Sequence, residues 1–148
     1  MNKTIRIRAA GILVREGELL LVRHEKNGRS YWLFPGGGVD YGETAAAALR
    51  REFLEECGLA VDVGDLVLVH DSIPPDNHRQ VLNLYFRVSV RGGELRPGSD
   101  GVLKDARFQP LGEVETLTVY PKVVPRVLEG IREGWAKGCR YLGNLWED

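Results

Sequence analysis

The feature that most restricts the fold of this chain is one strong helix pattern at residues 44–57, which follows a run of three glycines. Thr44 is a typical N-cap residue, four alanines follow it, and Gly58 stands where a helix commonly ends. Because consecutive glycines are poorly suited to a regular element, residues 36–38 predict a turn that leads toward the helix. The fold must therefore place a glycine-rich segment close to its central helix.

The segments on either side of this helix alternate between strand and loop patterns. Branched apolar residues predict strands at residues 5–14 and 18–23, joined by a Glu16-Gly17 turn, and further strands at residues 61–73 and 81–90. Loops are expected at residues 74–77 and 92–101, a helical turn at 111–117 and a last helix at 122–137. This order predicts an α+β fold, and 148 residues are consistent with a single domain over residues 1–148.

Composition and charge argue against several classes of partner. The net charge of −1 provides no basic excess of the kind that favours binding to nucleic acid or to a membrane surface. Two cysteines without metal-binding spacing favour a reduced, cytoplasmic setting. The apolar run at residues 9–14 is too short for a signal peptide or a membrane span. We therefore expect a small-molecule substrate, and the sequence leaves open whether the protein is a monomer or a homodimer.

Three carboxylates of the central helix form the candidate reactive cluster. Glu52, Glu55 and Glu56 are spaced i, i+3 and i+4, so their side chains share one face beside the apolar stripe of the helix. Like charges at i,i+4 destabilise a helix by about 0.2–0.5 kcal/mol per pair, so a cluster beside the core needs a compensating cation. Carboxylate oxygens suit hard divalent ions such as Mg²⁺ or Mn²⁺. Arg51, next to the cluster, can hold one carboxylate in a fixed orientation.

Each of these features also has an ordinary structural explanation. A glutamate-rich helix face is usually solvated, and a glycine run is most often only a turn. The Gly-Lys-Ser/Thr of a P-loop and the regularly spaced Asp/Asn ligands of an EF-hand are absent from the sequence. His24, His70 and His78 lack metal-ligand spacing and are expected to be surface or strand histidines. The joint spacing of glycines and helix residues is what favours a catalytic site.

That joint spacing is a nine-position pattern: Gly37-x5-Glu43-x7-Arg51-Glu52-Phe53-x-Glu55-Glu56-x-Gly58-Leu59. It resembles the signature box of the Nudix family at every position, although the family usually has an aliphatic residue in place of Phe53. A chance match of seven identities and two apolar positions has a probability on the order of 10⁻⁷ at average residue usage. Trp32, residues 34–37 and the Phe108-x-Pro-Leu segment are also similar to Nudix domains.

The resemblance implies a fold, an activity and a metal site. The fold would be an α/β/α sandwich around a mixed β-sheet. The activity would be divalent-metal-dependent hydrolysis of a diphosphate bond that links a nucleoside to another group. One to three Mg²⁺ or Mn²⁺ ions would be bound by the carbonyl of Gly36 and by the carboxylates of Glu52, Glu55 and Glu56.

The resemblance also implies roles for residues around the metal site. Arg51 would orient the box carboxylates, and Glu43 would brace the junction between loop and helix. Gly37 would let the backbone approach a substrate phosphate closely, and Arg23 would bind phosphate from the end of the second strand. Glu52 and Glu56 complete the expected catalytic set with Arg51. Glu52 is the first choice for the general base, and Asp100 and Asp105 are alternatives.

The substrate is the least determined property at this level. Nudix members that hydrolyse ADP-ribose resemble one another in a proline about fifteen residues after the box, and Pro74 lies 15 positions beyond Leu59, with Pro75 next to it. The tyrosine typical of members acting on diadenosine polyphosphates is absent at this distance, where residues 75–77 are Pro-Asp-Asn. ADP-ribose or a related nucleoside diphosphate sugar is therefore favoured. Hydrolysis of nucleoside triphosphates is the alternative activity, and a non-catalytic ligand sensor is the alternative class.

Overall fold

The computed structural model describes residues 3–98 and 103–146 of the chain, so Asp100 lies outside the described residues. Within them, nine strands, two α-helices and a 3₁₀ helix follow one another. They are β1 (Arg6–Ile12), β2 (Val14–Arg15), β3 (Glu18–Lys26), β4 (Arg29–Leu33), β5 (Gly36–Gly38), α1 (Ala45–Cys57), β6 (Leu59–Ser72), β7 (Val81–Gly93), β8 (Leu103–Pro110), the 3₁₀ helix (Leu111–Thr116), α2 (Val124–Glu133) and β9 (Arg140–Asn144). No helix in these ranges is long and apolar enough to cross a bilayer.

The strands form two sheets. The first has the order β5-β1-β7-β6-β9 and is mixed, because β1 pairs with β7 and β6 pairs with β9 in parallel, whereas its other pairs are antiparallel. In the second sheet β3 is central and pairs in antiparallel fashion with β2, β4 and β8. The predicted hairpin of the first two strand patterns is present as β2 and β3, with β1 continuing into the other sheet.

The core has two parts, one on each face of β3. Because successive strand residues point to opposite faces, Leu20 and Val22 join Leu49 and Phe53 of α1 in one apolar cluster. Leu19 and Leu21 join a second cluster that includes residues 123, 124 and 127 of α2 and its approach. The sheets therefore lie between the two helices, which confirms the predicted α/β/α sandwich.

Helix α1 begins and ends as its sequence predicts. The Thr44 hydroxyl oxygen accepts a hydrogen bond from the Ala47 amide at 3.0 Å, and Gly58 takes a left-handed conformation (φ 73°) at the other end. The helix buries Leu49, Phe53 and its last residue, while the glutamates lie along the edge of this buried stripe. Packing of the apolar stripe thus fixes the direction in which the carboxylates point.

The prediction that residues 36–38 form a turn is wrong, because β5 is a short strand with Gly36 opposite Ala10 of β1. Its packing leaves no room for side chains. A Cβ atom on Gly36 would lie 2.7 Å from the Cα of Ala10, and one on Gly37 would lie 2.5 Å from a carboxylate oxygen of Glu52. The glycines therefore allow a strand to pass very close to β1 and to α1, a use of glycine that spacing along the chain does not reveal.

Other boundaries differ from the expectations for local reasons. Helix α2 ends at Glu133 and not near residue 137, because Gly134 adopts a left-handed conformation (φ 63°) that closes the helix. The strand pattern at residues 61–73 is one long strand, β6. Strand β9 has no clear alternation in its sequence and pairs only along the edge of β6, so it was not predicted.

Candidate active site

Two of the three predicted carboxylates converge on the glycine strand. The side chain of Glu52 is 18% exposed and lies against Gly37, in the space that a Cβ atom there would occupy. Glu56 is 14% exposed, and its Oε1 accepts a hydrogen bond from the Gly36 amide at 2.8 Å. Strand β5 thus contacts both carboxylates: Gly37 leaves space for Glu52, and the amide of Gly36 donates a hydrogen bond to Glu56.

Burial and the proximity of Glu56 make it harder to ionise the carboxyl group of Glu52. Burial raises the pKa of its carboxyl, and the negative charge of Glu56 raises it further, whereas the hydrogen bond from Arg51 lowers it. Two partly buried carboxylates beside one strand repel each other, and a cation bound between them would relieve this repulsion.

Arg51 and Glu43 are joined by an ion pair beside the glycine strand. Arg51 donates to Oε1 of Glu43 at 2.7 Å, to Oε1 of Glu52 at 2.9 Å and to the carbonyl of Gly38 at 3.2 Å. Glu43 also accepts from the Asp40 amide at 2.9 Å. The hydrogen bond from Arg51 holds the pKa of Glu43 below its ordinary value, so this carboxylate stays charged. The guanidinium therefore links the loop before α1, the glycine strand and the box carboxylates.

Glu55, the third predicted ligand, is less constrained. Its side chain is 60% exposed and lies 3.6 Å from the guanidinium of Arg51. Within residues 3–98 and 103–146, no three Asp, Glu, His or Cys side chains already converge on one metal position. Mg²⁺ is nonetheless commonly held by one or two carboxylates together with water and substrate phosphates. Glu52 and Glu56 each use Oε1 in the hydrogen bonds above, which leaves Oε2, so this oxygen-rich pair fits a hard divalent ion.

His24 is a member of the site that sequence reasoning missed. It lies on β3 two residues after Val22, on the same strand face, and its Nε2 is 3.8 Å from Oε2 of Glu56. That nitrogen is buried and has no hydrogen-bond partner in the described part of the chain. It is therefore available to a group bound at the carboxylates. The inward position could have been read from the alternation of β3, had the register of that strand been known.

Arg23 and Asp105, both named from the sequence, lie on the other face of the same sheet. They are directly opposite each other on β3 and β8, and alternation places them away from His24 and Glu56. Arg23 donates to the Ser30 hydroxyl at 3.3 Å. The carboxylate of Asp105 is 2.7 Å from the guanidinium of Arg107. A phosphate-binding role for Arg23 and a base role for Asp105 stay predictions without further support from this arrangement.

A groove of about 940 Å³ is lined by residues of several strands and loops, and the box carboxylates are not part of its lining. Tyr31 and Tyr120 line it, with ring centroids 5.7 Å apart, and the Tyr31 ring is also 6.0 Å from the ring of His24. The loop after β6 contributes His78 to the groove, and this is the loop that contains Pro74. Aromatic contacts therefore connect the carboxylate site with a cavity large enough for a nucleotide.

Arg8 lies where the groove approaches the glycine strand. It occupies β1 opposite Gly38, lines the groove, and donates from Nη2 to the Phe34 carbonyl at 2.7 Å. Its Nη1 is buried without a hydrogen-bond partner among the described residues. Sequence reasoning did not single it out, although a charged residue within the otherwise apolar centre of β1 is a usable signal.

Comparisons with known proteins find relatives of this chain. A family model described as the NUDIX domain matches residues 5–128. The ADP-ribose pyrophosphatase of Methanocaldococcus jannaschii is 35% identical over 108 residues, which are 72% of this chain and 63% of that protein. The MutT-like protein of Streptomyces ambofaciens is 36% identical over 95 residues, which are 64% of this chain and 58% of the relative. This chain thus matches less than two thirds of the length of either relative.

A solved structure extends the likeness to the fold. The structure of a NUDIX hydrolase from Nitrosomonas europaea has a TM-score of 0.79 to this chain at 19% identity, covering 88% of this chain and 90% of that one. At this identity the likeness concerns the arrangement of helices and strands.

Proposed function

Because this chain belongs to the NUDIX family, we propose that it hydrolyses the diphosphate bond between a nucleoside and another group, with ADP-ribose or a related nucleoside diphosphate sugar as substrate. One observation carries the proposal: Glu52 and Glu56 converge on the glycine strand while Arg51 ties both Glu52 and that strand to Glu43. A purely solvated helix face would not bury two of its carboxylates against a backbone that has no room for side chains.

The metal belongs to the same proposal. Gly36, Glu52, Glu55 and Glu56 would hold Mg²⁺ or Mn²⁺, with Glu55 joining the other two carboxylates from its exposed position. A divalent ion held there would supply positive charge to neutralise the diphosphate and would lower the pKa of an attacking water. The fit rests on the oxygen-only donor set and on the repulsion between Glu52 and Glu56 that raises the pKa of Glu52.

The residues of the chain have separable roles in this reaction. Glu52 is assigned the proton of the attacking water, because it is partly buried beside Glu56 and Arg51 holds one of its carboxylate oxygens in place. Arg51 keeps Oε1 of Glu52 engaged, so that Oε2 faces the reacting groups. His24, whose Nε2 has no partner in the described chain, hydrogen-bonds to a phosphate oxygen beside Glu56.

The choice of ADP-ribose rests on two supports. The relative from Methanocaldococcus jannaschii is named an ADP-ribose pyrophosphatase. The loop with Pro74 and Pro75 borders the groove through His78 and Arg79, so its composition can influence which group the groove accepts. The competing activity on nucleoside triphosphates is supported by the MutT-like relative.

Product identification tests the proposal. Purified protein with Mg²⁺ should convert ADP-ribose to AMP and ribose 5-phosphate, and in ¹⁸O-labelled water the label should enter a product phosphate. A panel of nucleoside diphosphate sugars and nucleoside triphosphates then ranks the two activities by kcat/KM. If the protein prefers nucleoside triphosphates and releases pyrophosphate, the proposed substrate is wrong but the proposed hydrolysis of a diphosphate bond stands. Release of only inorganic phosphate from simple monoesters would reject the proposed reaction, and binding without any turnover would favour a ligand sensor.

A further inference from the structure

The groove that is lined by Tyr31 and Tyr120 contains charged side chains of mainly one sign. Among the described residues, its lining contains five cationic side chains and no Asp or Glu, although the sequence has 21 acidic and 20 basic residues. The cations are Arg8, Lys26, Arg29, Arg79 and Lys122. Segregation of one charge sign into a concave surface focuses the electrostatic potential there and favours a ligand of opposite sign.

Within residues 3–98 and 103–146, these cations have no carboxylate partner. Among the described residues, none of the five has a carboxylate within 4.0 Å, whereas Arg51, Arg91 and Arg107 all form such ion pairs outside the groove. Lys122 instead lies over the ring of Tyr120 at 4.8 Å, and Nη1 of Arg8 is buried without a hydrogen-bond partner. In the described part of the chain, the groove therefore contains cationic side chains that no carboxylate neutralises.

The groove contains more positive charge than is needed to bind the diphosphate of a nucleoside diphosphate sugar. ADP-ribose carries its negative charge on the diphosphate, and the carboxylates with their divalent ion are placed to deal with that charge. Arg8 approaches the glycine strand and can contact the diphosphate from the groove side. Arg29 and Lys122 are exposed and would face a neutral ribose.

We propose that the groove binds the part of the substrate beyond the diphosphate, and that this part carries a further phosphate group, which Arg29 and Lys122 contact. This deepens the proposed function, on which it rests, by naming the substrate class: a nucleoside diphosphate derivative with an additional phosphomonoester. Tyr31 and Tyr120 supply the apolar surface on which the attached ring packs.

Binding measured by isothermal titration calorimetry without metal tests the groove independently of turnover. The probes are ribose 5-phosphate and ribose 1,5-bisphosphate, which represent the part beyond the diphosphate and differ by one phosphate. Since hydrogen bonds to charged groups are the stronger ones, the bisphosphate should bind at least about tenfold more tightly. In the variant Arg29→Gln/Lys122→Gln this preference should fall below about threefold, because both exposed cations are gone while the core is untouched.

A matched control removes the same charge elsewhere. Arg87→Gln/Arg132→Gln changes two exposed arginines outside the groove and should retain the full preference for the bisphosphate. Equal affinity of the wild-type protein for both probes would overturn the inference. An equal loss of preference in the control pair would also overturn it, because the effect would then be one of net charge and not of the groove.

Turnover separates this inference from the proposed function. ADP-ribose that carries a further phosphate on C1 of its terminal ribose should have a higher kcat/KM than ADP-ribose itself, and the excess should shrink in the Arg29→Gln/Lys122→Gln variant. Hydrolysis of both substrates at equal kcat/KM would overturn the inference while the proposed function stands. Hydrolysis of neither, with a retained binding preference for the bisphosphate, would overturn the proposed function while the groove keeps its assignment.

Discussion

A methyl group added at Gly37 should reduce activity and leave the fold intact, whereas one added at the adjacent Gly36 should reduce the stability of the fold. At Gly37 the new Cβ would lie 2.5 and 2.8 Å from the carboxylate oxygens of Glu52. Ordinary contact begins at 3.4 Å, so the carboxylate must retreat by about 1 Å, which the end of a flexible side chain can do. The fold should therefore survive, but the displaced carboxylate no longer lies where catalysis needs it. A displacement of this size can cost about a hundredfold in rate.

At Gly36 the obstacle is the backbone of β1. The new Cβ would lie 2.7 Å from the Cα of Ala10 and even closer to the carbonyl oxygen of Ala9, and neither atom can retreat without breaking the β1–β5 pairing. Overpacking of this kind costs about 1–3 kcal/mol and more when the backbone must move. Gly36→Ala should therefore lower the free energy of unfolding by at least about 3 kcal/mol.

Two measurements separate these effects. Urea denaturation followed by circular dichroism gives the free energy of unfolding, and steady-state hydrolysis of ADP-ribose at saturating Mg²⁺ gives kcat/KM. Gly112→Ala is the matched control, because a Cβ there meets nothing within 4 Å and should change neither quantity by much. Wild-type activity in Gly37→Ala would refute the role assigned to the position of Glu52. Wild-type stability in Gly36→Ala would refute the packing argument for the glycine strand.

Three further outcomes are expected. Hydrolysis should stop in excess chelator and return with Mg²⁺ or Mn²⁺, and full turnover with chelator present would contradict the carboxylate site. Glu56→Gln should lose at least about a hundredfold in kcat with the circular dichroism spectrum unchanged, since metal-bound charge stabilisation contributes several kcal/mol. A near-normal kcat would exclude Glu56 from the metal site. Burial lowers the pKa of His70 below its ordinary value of 6.5. Just below that pH the unfolded chain therefore binds a proton at His70, whereas the folded protein keeps the ring neutral. The free energy of unfolding should therefore fall as pH drops through about 6.5, the ordinary pKa of histidine, and less steeply in His70→Gln. Parallel pH profiles for the two proteins would disprove this.

The helix and its carboxylates were predictable from sequence because their determinants are local. Thr44 and Gly58 bracket one helix, and a period of 3.6 residues puts Glu52 and Glu56 on the same face whatever surrounds them. The pairing of Arg51 with Glu43 follows from the same local geometry, since both residues flank the first turns of one helix.

Contacts between distant segments were decided only by the tertiary structure. The glycine run could be recognised along the chain, but its use as a strand depends on β1 and α1 passing close to it from either side. His24 and Arg8 enter the site because strand registers turn them inward, and a shift of one residue would have pointed both away. The segregation of cations in the groove has the same origin, since its residues come from separate parts of the chain between Arg8 and Lys122. The sequence by itself therefore determined the helix, its carboxylates and the family, because short-range periodicity suffices for these. The strands and side chains that contact this helix are brought to it by pairing between strands far apart in the sequence, and a local sequence pattern does not determine that pairing.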